Sequence, residues 1–227
     1  MVRWHEFGSS DAIAAALAER IASALTDAVA ARGSATLAVS GGRTPRHLFD
    51  ALSQTEITWD KVTVTLVDER FVAPDNERSN EKLVRDLLLQ NRAAAKFVPL
   101  FRDGMSLEEA AKAASGDIDA LSPPLDVVVL GMGPDGHTAS FFPDAENLEA
   151  LYANAAGSAV LPVLAPSAGE PRLTLSAQLI AAAGLLVLHT EGEERRSILT
   201  AALAEGELPV ARVLQLADTK PQIYWAA

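Results

Sequence analysis

Leu125–Pro143, LDVVVLGMGPDGHTASFFP, changes character halfway along. Leu125 to Leu130 is apolar except for Asp126 and is rich in valine, a β-branched residue that favours strands. A run this short and this apolar reads as a strand buried on both faces, in a parallel sheet under helices. Gly131, Gly133 and Gly136 then fall within six residues, with Pro134 among them. Glycine lets a ligand approach the main chain and opens backbone angles closed to other residues. The loop also carries Asp135 and His137, two residues apart. Open α/β sheets bind their ligands at loops of this kind, beyond the C-terminal ends of the strands. An imidazole beside a carboxylate there reads as a general base with an orienting or polarising partner.

Gly131 to Gly136 also matches G-x-G-x-x-G, the dinucleotide fingerprint. That motif requires a helix directly after it and an acidic residue closing the next strand. Here Thr138–Pro143 holds two phenylalanines and a proline, and the apolar segment near Val160 ends without an acidic residue. Nucleotide binding is therefore not expected.

Outward from this stretch, strands and helices alternate. Ser9, Ser10 and Asp11 offer N-caps to a long helix whose apolar stripe is Ile13, Leu17, Ile21, Leu25 and Val29, with Gly33 as its stop. Ala35–Val39 reads as a strand that runs into Ser40-Gly41-Gly42-Arg43-Thr44-Pro45 and a following helix. Strand, glycine loop and helix N-terminus make an anion site, with N–H groups converging and the Ser40 and Thr44 hydroxyls adding bonds. Lys61–Val67 reads as a strand that ends at Asp68-Glu69-Arg70. Three charges at that end face the same cleft, and Arg70 suits an oxyanion or a carboxylate. Ser79 caps a helix running to Leu89, Phe97–Leu100 is a brief strand, and Ser106 with Glu109 forms a capping box.

Past the glycine loop an irregular span reaches about Ala159, followed by a strand, Val160–Leu164. Pro171–Ser176 reads as an extended piece leading into a helix, Ala177–Ala183. Arg172 interrupts its apolar run, either as an edge residue or as an anion ligand. Leu185–His189 is a further buried strand. Gly192 and Glu193 open a helix that carries Arg195 and stops at Gly206. Val213–Leu216 and Gln222–Trp225 finish the chain, with Lys220 in the loop between them. This alternation implies right-handed crossovers and a doubly wound, mostly parallel α/β sheet with helices on both faces, a three-layer αβα, Rossmann-like arrangement. A single domain over residues 1–227 is expected, with one cleft collecting the loops after Val39, Val67 and Leu130.

The net charge of −11 argues against a nucleic-acid partner, because phosphate backbones are bound by clustered Lys and Arg. It leaves room for a small anionic ligand met by a few local cations. There is no cysteine, which excludes disulfides and thiolate metal sites and fits a cytoplasmic setting. The N-terminal MVRWHEFGSSDA lacks an apolar signal core, and no stretch approaches the ~20 apolar residues of a membrane span, so no membrane partner is expected.

Ser40-Gly41-Gly42-x-Thr44-Pro45, Val67-Asp68-Glu69-Arg70, Ser79-Asn80 and Gly131–Ser140 resemble, in order, the motifs of the 6-phosphogluconolactonase family. The likeness runs from the first helix to Trp225, within a larger group that includes glucosamine-6-phosphate deaminase and shares a doubly wound α/β fold. The resemblance implies hydrolysis of a small sugar-phosphate lactone, 6-phospho-D-glucono-1,5-lactone, without metal or cofactor. It implies His137 as the base that activates water, Asp135 as its orienting partner and Arg70 as the stabiliser of charge on the lactone carbonyl or product carboxylate. It implies Ser40, Gly41, Gly42, Thr44, Asp68, Arg172 and Arg195 as substrate and phosphate contacts. Two positions depart from the pattern: Arg43 replaces a small residue, and Arg195 replaces a lysine. The deaminase pattern differs more, because it has Asp-Glu-Tyr for Asp68-Glu69-Arg70 and ends in Asn-Glu-Pro where this chain has Phe141-Phe142-Pro143.

Overall fold

The computed structural model describes residues 2–227. β6, Val127–Leu130, lies in the middle of a seven-stranded sheet and is buried along its whole length. The other strands of this sheet are β1 (Arg3–Phe7), β2 (Ala35–Val39), β3 (Val62–Leu66), β5 (Lys96–Val98), β9 (Leu185–Glu191) and β10 (Gln222–Ala226). Their spatial order is β1-β10-β9-β6-β2-β3-β5, and every pairing is parallel. All of β2 and all but the last residue of β9 are buried, as strands covered on both faces must be. The covering helices are α1 (Ser10–Arg32), α2 (Arg46–Ser53), α3 (Asn80–Leu87), α4 (Leu107–Asp119), α5 (Leu148–Ala153), α6 (Ala177–Ala181), α7 (Glu193–Glu205) and α8 (Pro209–Gln215). No helix among the described residues is long and apolar enough to cross a membrane.

The expected caps form. The Ser9 hydroxyl accepts from the Ala12 N–H, and Gly33 ends α1 in the left-handed region at φ 79°. Ser106 and Glu109 close a reciprocal capping box on α4. Asp126, the one polar interruption before β6, pins that strand to its neighbour. Its Oδ2 accepts from the Thr36 N–H (2.8 Å) and hydroxyl (3.1 Å), the Thr36 hydroxyl also accepts from the Asp126 N–H (2.9 Å), and Arg32 pairs with the other oxygen.

The structure corrects three expectations and assigns two segments, Arg3–Phe7 and Val213–Leu216, that the sequence left without an element. Asp68-Glu69-Arg70 does not merely end β3: it forms its own short strand, β4, in a second sheet with β7 (Val160–Val163) and β8 (Arg172–Leu175), ordered β4-β8-β7 and antiparallel. Arg3–Phe7, whose sequence shows no apolar run, is an edge strand beside β10. The irregular span to Ala159 contains α5. β9 runs on past His189 to Glu191. Val213–Leu216 falls at the end of α8, which opens on Pro209 at its first position. The fingerprint-like loop, as expected, is followed by no helix until α5 at Leu148.

Asp126→Ala removes an acceptor that serves three donors at the start of the central strands. It is expected to lower unfolding stability by about 1–3 kcal/mol, read as a shifted denaturation midpoint with unchanged denaturant slope.

Candidate active site

The loops beyond the C-terminal ends of β2, β6 and β9, with β4 and β8, enclose a cleft of about 610 Å³, within the range of small-molecule sites. His137, Arg70, Ser40, Gly41, Gly42, Thr44, Asp68, Arg172 and Arg195 all line it. Asp135 stands just behind, in contact with His137. Lys220 is exposed and does not border the cleft.

His137 is held from three sides. Its Nδ1 lies 2.5 Å from Asp135 Oδ1, and its own N–H donates to the same oxygen at 3.2 Å. The carboxylate fixes the proton on Nδ1 and leaves Nε2 free as an acceptor. The Phe142 ring packs against the imidazole at 4.3 Å between centroids. Gly133 supplies the third side: a Cβ there would lie 2.2 Å from His137 Cε1 and 2.7 Å from Asp135 Oδ1, so only glycine fits. The loop is tied back through Gly133 N–H to the His137 carbonyl (2.9 Å) and through the Thr138 hydroxyl to the Gly131 carbonyl (2.7 Å).

The anion loop follows β2. Gly42 adopts φ 95°, a conformation that favours glycine. At Gly41 a Cβ would sit 1.8 Å from Asn80 Oδ1, so the backbone reaches the cleft only because no side chain intervenes. The N–H groups of Gly41, Gly42, Arg43 and Thr44 donate to no acceptor among the described residues, and they stand just before the N-terminus of α2. The Ser40 hydroxyl is turned inward, accepting from the Gly131 N–H at 3.0 Å and joining this loop to the His137 loop.

β4 and β8 form the opposite wall. Their register sets Arg70 directly across from Arg172. Arg172 is 6% exposed, donates to the Ala168 carbonyl at 2.9 Å and lies over the Phe142 ring at 5.4 Å. Burial pulls its guanidinium below the ordinary arginine range, partly offset by Asp68. Arg70 donates from Nη1 to the Arg78 carbonyl at 2.5 Å. Asp68 accepts from the buried Ser140 hydroxyl at 2.7 Å. In all, Arg43, Arg70, Arg78, Arg172 and Arg195 border the cleft, against the carboxylates of Asp68 and Glu191.

Glu69, whose part the sequence left open, does not border the cleft. It is fully buried and caps α3: Oε1 accepts from the N–H groups of Arg70 (2.7 Å) and Asn80 (2.8 Å), and Oε2 from the Glu81 N–H (2.7 Å) and the Ser79 hydroxyl (3.1 Å). Burial pushes its carboxyl up to about 7, against the pull of these donors. Sequence reasoning missed Arg78, Asn80, His189 and Glu191 as cleft residues. The last two end a buried parallel strand, the same signal that pointed to the His137 loop.

An open parallel α/β sheet with an anion loop, a histidine–carboxylate pair and arginines at one edge defines an enzyme class that acts on phosphorylated small molecules. Comparison with known proteins narrows the class. The pattern of the glucosamine-6-phosphate isomerases/6-phosphogluconolactonase family matches residues 8–225, and the chain belongs to that family. It is 52% identical to the 6-phosphogluconolactonase of Mesorhizobium japonicum over 98% of this chain and 94% of that one. It is 50% identical to the 6-phosphogluconolactonase of Rhizobium meliloti, over 98% and 97%. The crystal structure of a 6-phosphogluconolactonase from Shewanella baltica superposes with a TM-score of 0.95 at 39% identity, covering 100% of this chain and 98% of that one.

Glu69→Gln leaves one oxygen for four donors and turns an amide toward N–H groups. It is expected to cost about 2–3 kcal/mol of stability and to loosen the start of α3, measured by denaturation and by faster amide exchange at Asn80 and Glu81.

Proposed function

We propose that this chain hydrolyses 6-phospho-D-glucono-1,5-lactone to 6-phospho-D-gluconate, the second step of the oxidative pentose phosphate pathway, using water and no cofactor. With the reaction goes the cytoplasmic setting that the cysteine-free composition suggested. The observation that carries the reading is the 2.5 Å Asp135–His137 bond, which leaves Nε2 free in a cleft whose walls are otherwise rich in arginine. Nε2 takes a proton from water as the water oxygen bonds to the lactone carbonyl carbon. Asp135 keeps the ring in the right tautomer and favours the imidazolium that forms. Arg70 stabilises the oxyanion. Collapse of the tetrahedral intermediate breaks the bond to the ring oxygen, which takes the proton back from His137 and leaves as the 5-hydroxyl of the acid.

The phosphate is assigned to the free N–H groups of Gly41–Thr44, the Thr44 hydroxyl and Arg195. Arg172, expected beside the phosphate, is better placed to serve the same charge as Arg70, because the strand register sets the two opposite each other. Asp68 reads as the group that orients Arg172 and the His137 loop. The deaminase reading is weaker: Phe141 and Phe142 are buried packing where that pattern needs a carboxylate.

The test generates the lactone in situ with glucose-6-phosphate dehydrogenase and compares its hydrolysis with the uncatalysed rate. His137→Ala is expected to lower kcat by about 10²–10⁴-fold with KM little changed. Unchanged kcat removes His137 from the mechanism. Arg195→Ala is expected chiefly to raise KM, and the wild type is expected to discriminate against unphosphorylated gluconolactone. Equal rates on the two lactones would refute the phosphate anchor.

A further inference from the structure

Arg70 and Arg172 face each other across β4 and β8, and Arg78 borders the cleft beside them. Like charges set directly opposite on paired strands repel. The proposed chemistry needs Arg70 and Arg172 at the reacting carbonyl but does not account for what holds them against that repulsion. Asp68 answers in part, with its Oδ2 3.9 Å from Arg172 Nη1. Glu170, which the chemistry does not use and which does not border the cleft, stands closer. Its Oε1 lies 2.8 Å from Arg78 Nη2 and 3.4 Å from Arg172 Nη2. One carboxylate oxygen therefore joins a guanidinium from the turn after β4 to one from β8. The Glu170 side chain is 18% exposed, so solvent screens this contact less than it screens an ordinary surface pair.

Arg70 is reached through the main chain. Its Nη1 donates to the Arg78 carbonyl at 2.5 Å, and its Nε is buried with no hydrogen-bond partner. The carbonyl thus decides where the guanidinium sits. Two carboxylates fix the turn that presents this carbonyl. Glu69 holds it where it enters α3, by accepting from the Asn80 and Glu81 N–H groups, and Glu170 holds it across to β8. The Arg78 N–H itself bonds within the turn, to Asn76 Oδ1 at 2.9 Å. Without Glu170 the turn keeps its hold on α3 and loses its side-chain hold on β8.

We propose that Glu170 is a positioning residue for the reaction: it fastens Arg78 to β8, and through the Arg78 carbonyl it keeps Arg70 in place for the developing oxyanion, with Arg172 partly neutralised beside it. The proposal rests on the lactonase reading and on Arg70 as the group that stabilises the oxyanion.

The experiment measures kcat and KM for 6-phosphogluconolactone in the wild type, Glu170→Ala, Arg78→Ala, Arg70→Ala and the double variant Glu170→Ala/Arg70→Ala. Glu170→Ala is expected to lower kcat about 10-fold and to leave KM within about threefold, since a hold on the oxyanion donor acts in the transition state. Arg78→Ala breaks the same contact and is expected to lose a similar factor. On the Arg70→Ala background, Glu170→Ala is expected to cost less than about threefold, because groups that act through one another are not additive. Glu170→Gln, which keeps the volume and removes the charge, takes the place of the alanine variant should that variant not fold. An unchanged kcat would overturn the proposal, and a lowered KM beside it would show that Glu170 merely offsets charge that attracts the substrate. Losses that multiply with that of Arg70→Ala would overturn it too, since Glu170 would then act elsewhere. Both outcomes leave the lactonase reading standing. A wild type that does not accelerate lactone hydrolysis would overturn that reading itself, and the positioning role with it.

Discussion

A hydrogen bond of 2.7 Å between the Ser140 hydroxyl and Asp68, both buried, joins the two sheets of this protein at the cleft. Ser140 belongs to the loop that carries His137, and Asp68 opens the strand that carries Arg70. The His137 imidazole and the Arg70 guanidinium are therefore carried by different sheets, and this bond helps to set their separation. The loop is fastened on its other side too, where the Gly131 N–H reaches the Ser40 hydroxyl and links it to the anion loop. Thr174, in register with Asp68 on β8, adds a third tie by accepting from the Ser140 N–H at 3.4 Å. On the proposed chemistry, a base bracketed in this way is placed before substrate arrives, and little reorganisation is left for the reaction to overcome.

The small antiparallel sheet explains how charged residues can be strand residues. Asp68 meets Ser140, Glu69 takes the N-terminus of α3, and Arg70 projects to the cleft. One short strand thus serves the loop beside it, the helix after it and the site. Its sequence could not announce a strand, because its pairing partner, β8, lies about a hundred residues further along the chain.

What was legible in the sequence follows the range of the forces involved. β2 forms over the residues expected, and the α4 capping box needs only Ser106 and Glu109. The His137 loop and the anion loop are local motifs marked by their glycines, of which Gly133 is required by its own loop, where a Cβ would meet His137 and Asp135. The misses are non-local. β1 is a strand because β10, at the far end of the chain, pairs with it, and its residues RWHEF give no alternating apolar signal. His189 and Glu191 enter the cleft only because β9 lies beside β6, an adjacency that sequence spacing does not encode. The proline opening α8 was a local signal and could have been read.

Five arginines gathered at one opening of a protein of net charge −11 also bear on the end of the reaction. Such a focus draws anions out of solution faster than the surrounding surface would allow. On the proposed chemistry, however, an uncharged ester becomes a carboxylate inside the cleft, so what leaves is more negative than what entered. The field that speeds capture then opposes escape, and departure of the acid, rather than arrival of the lactone, is the event that these arginines slow.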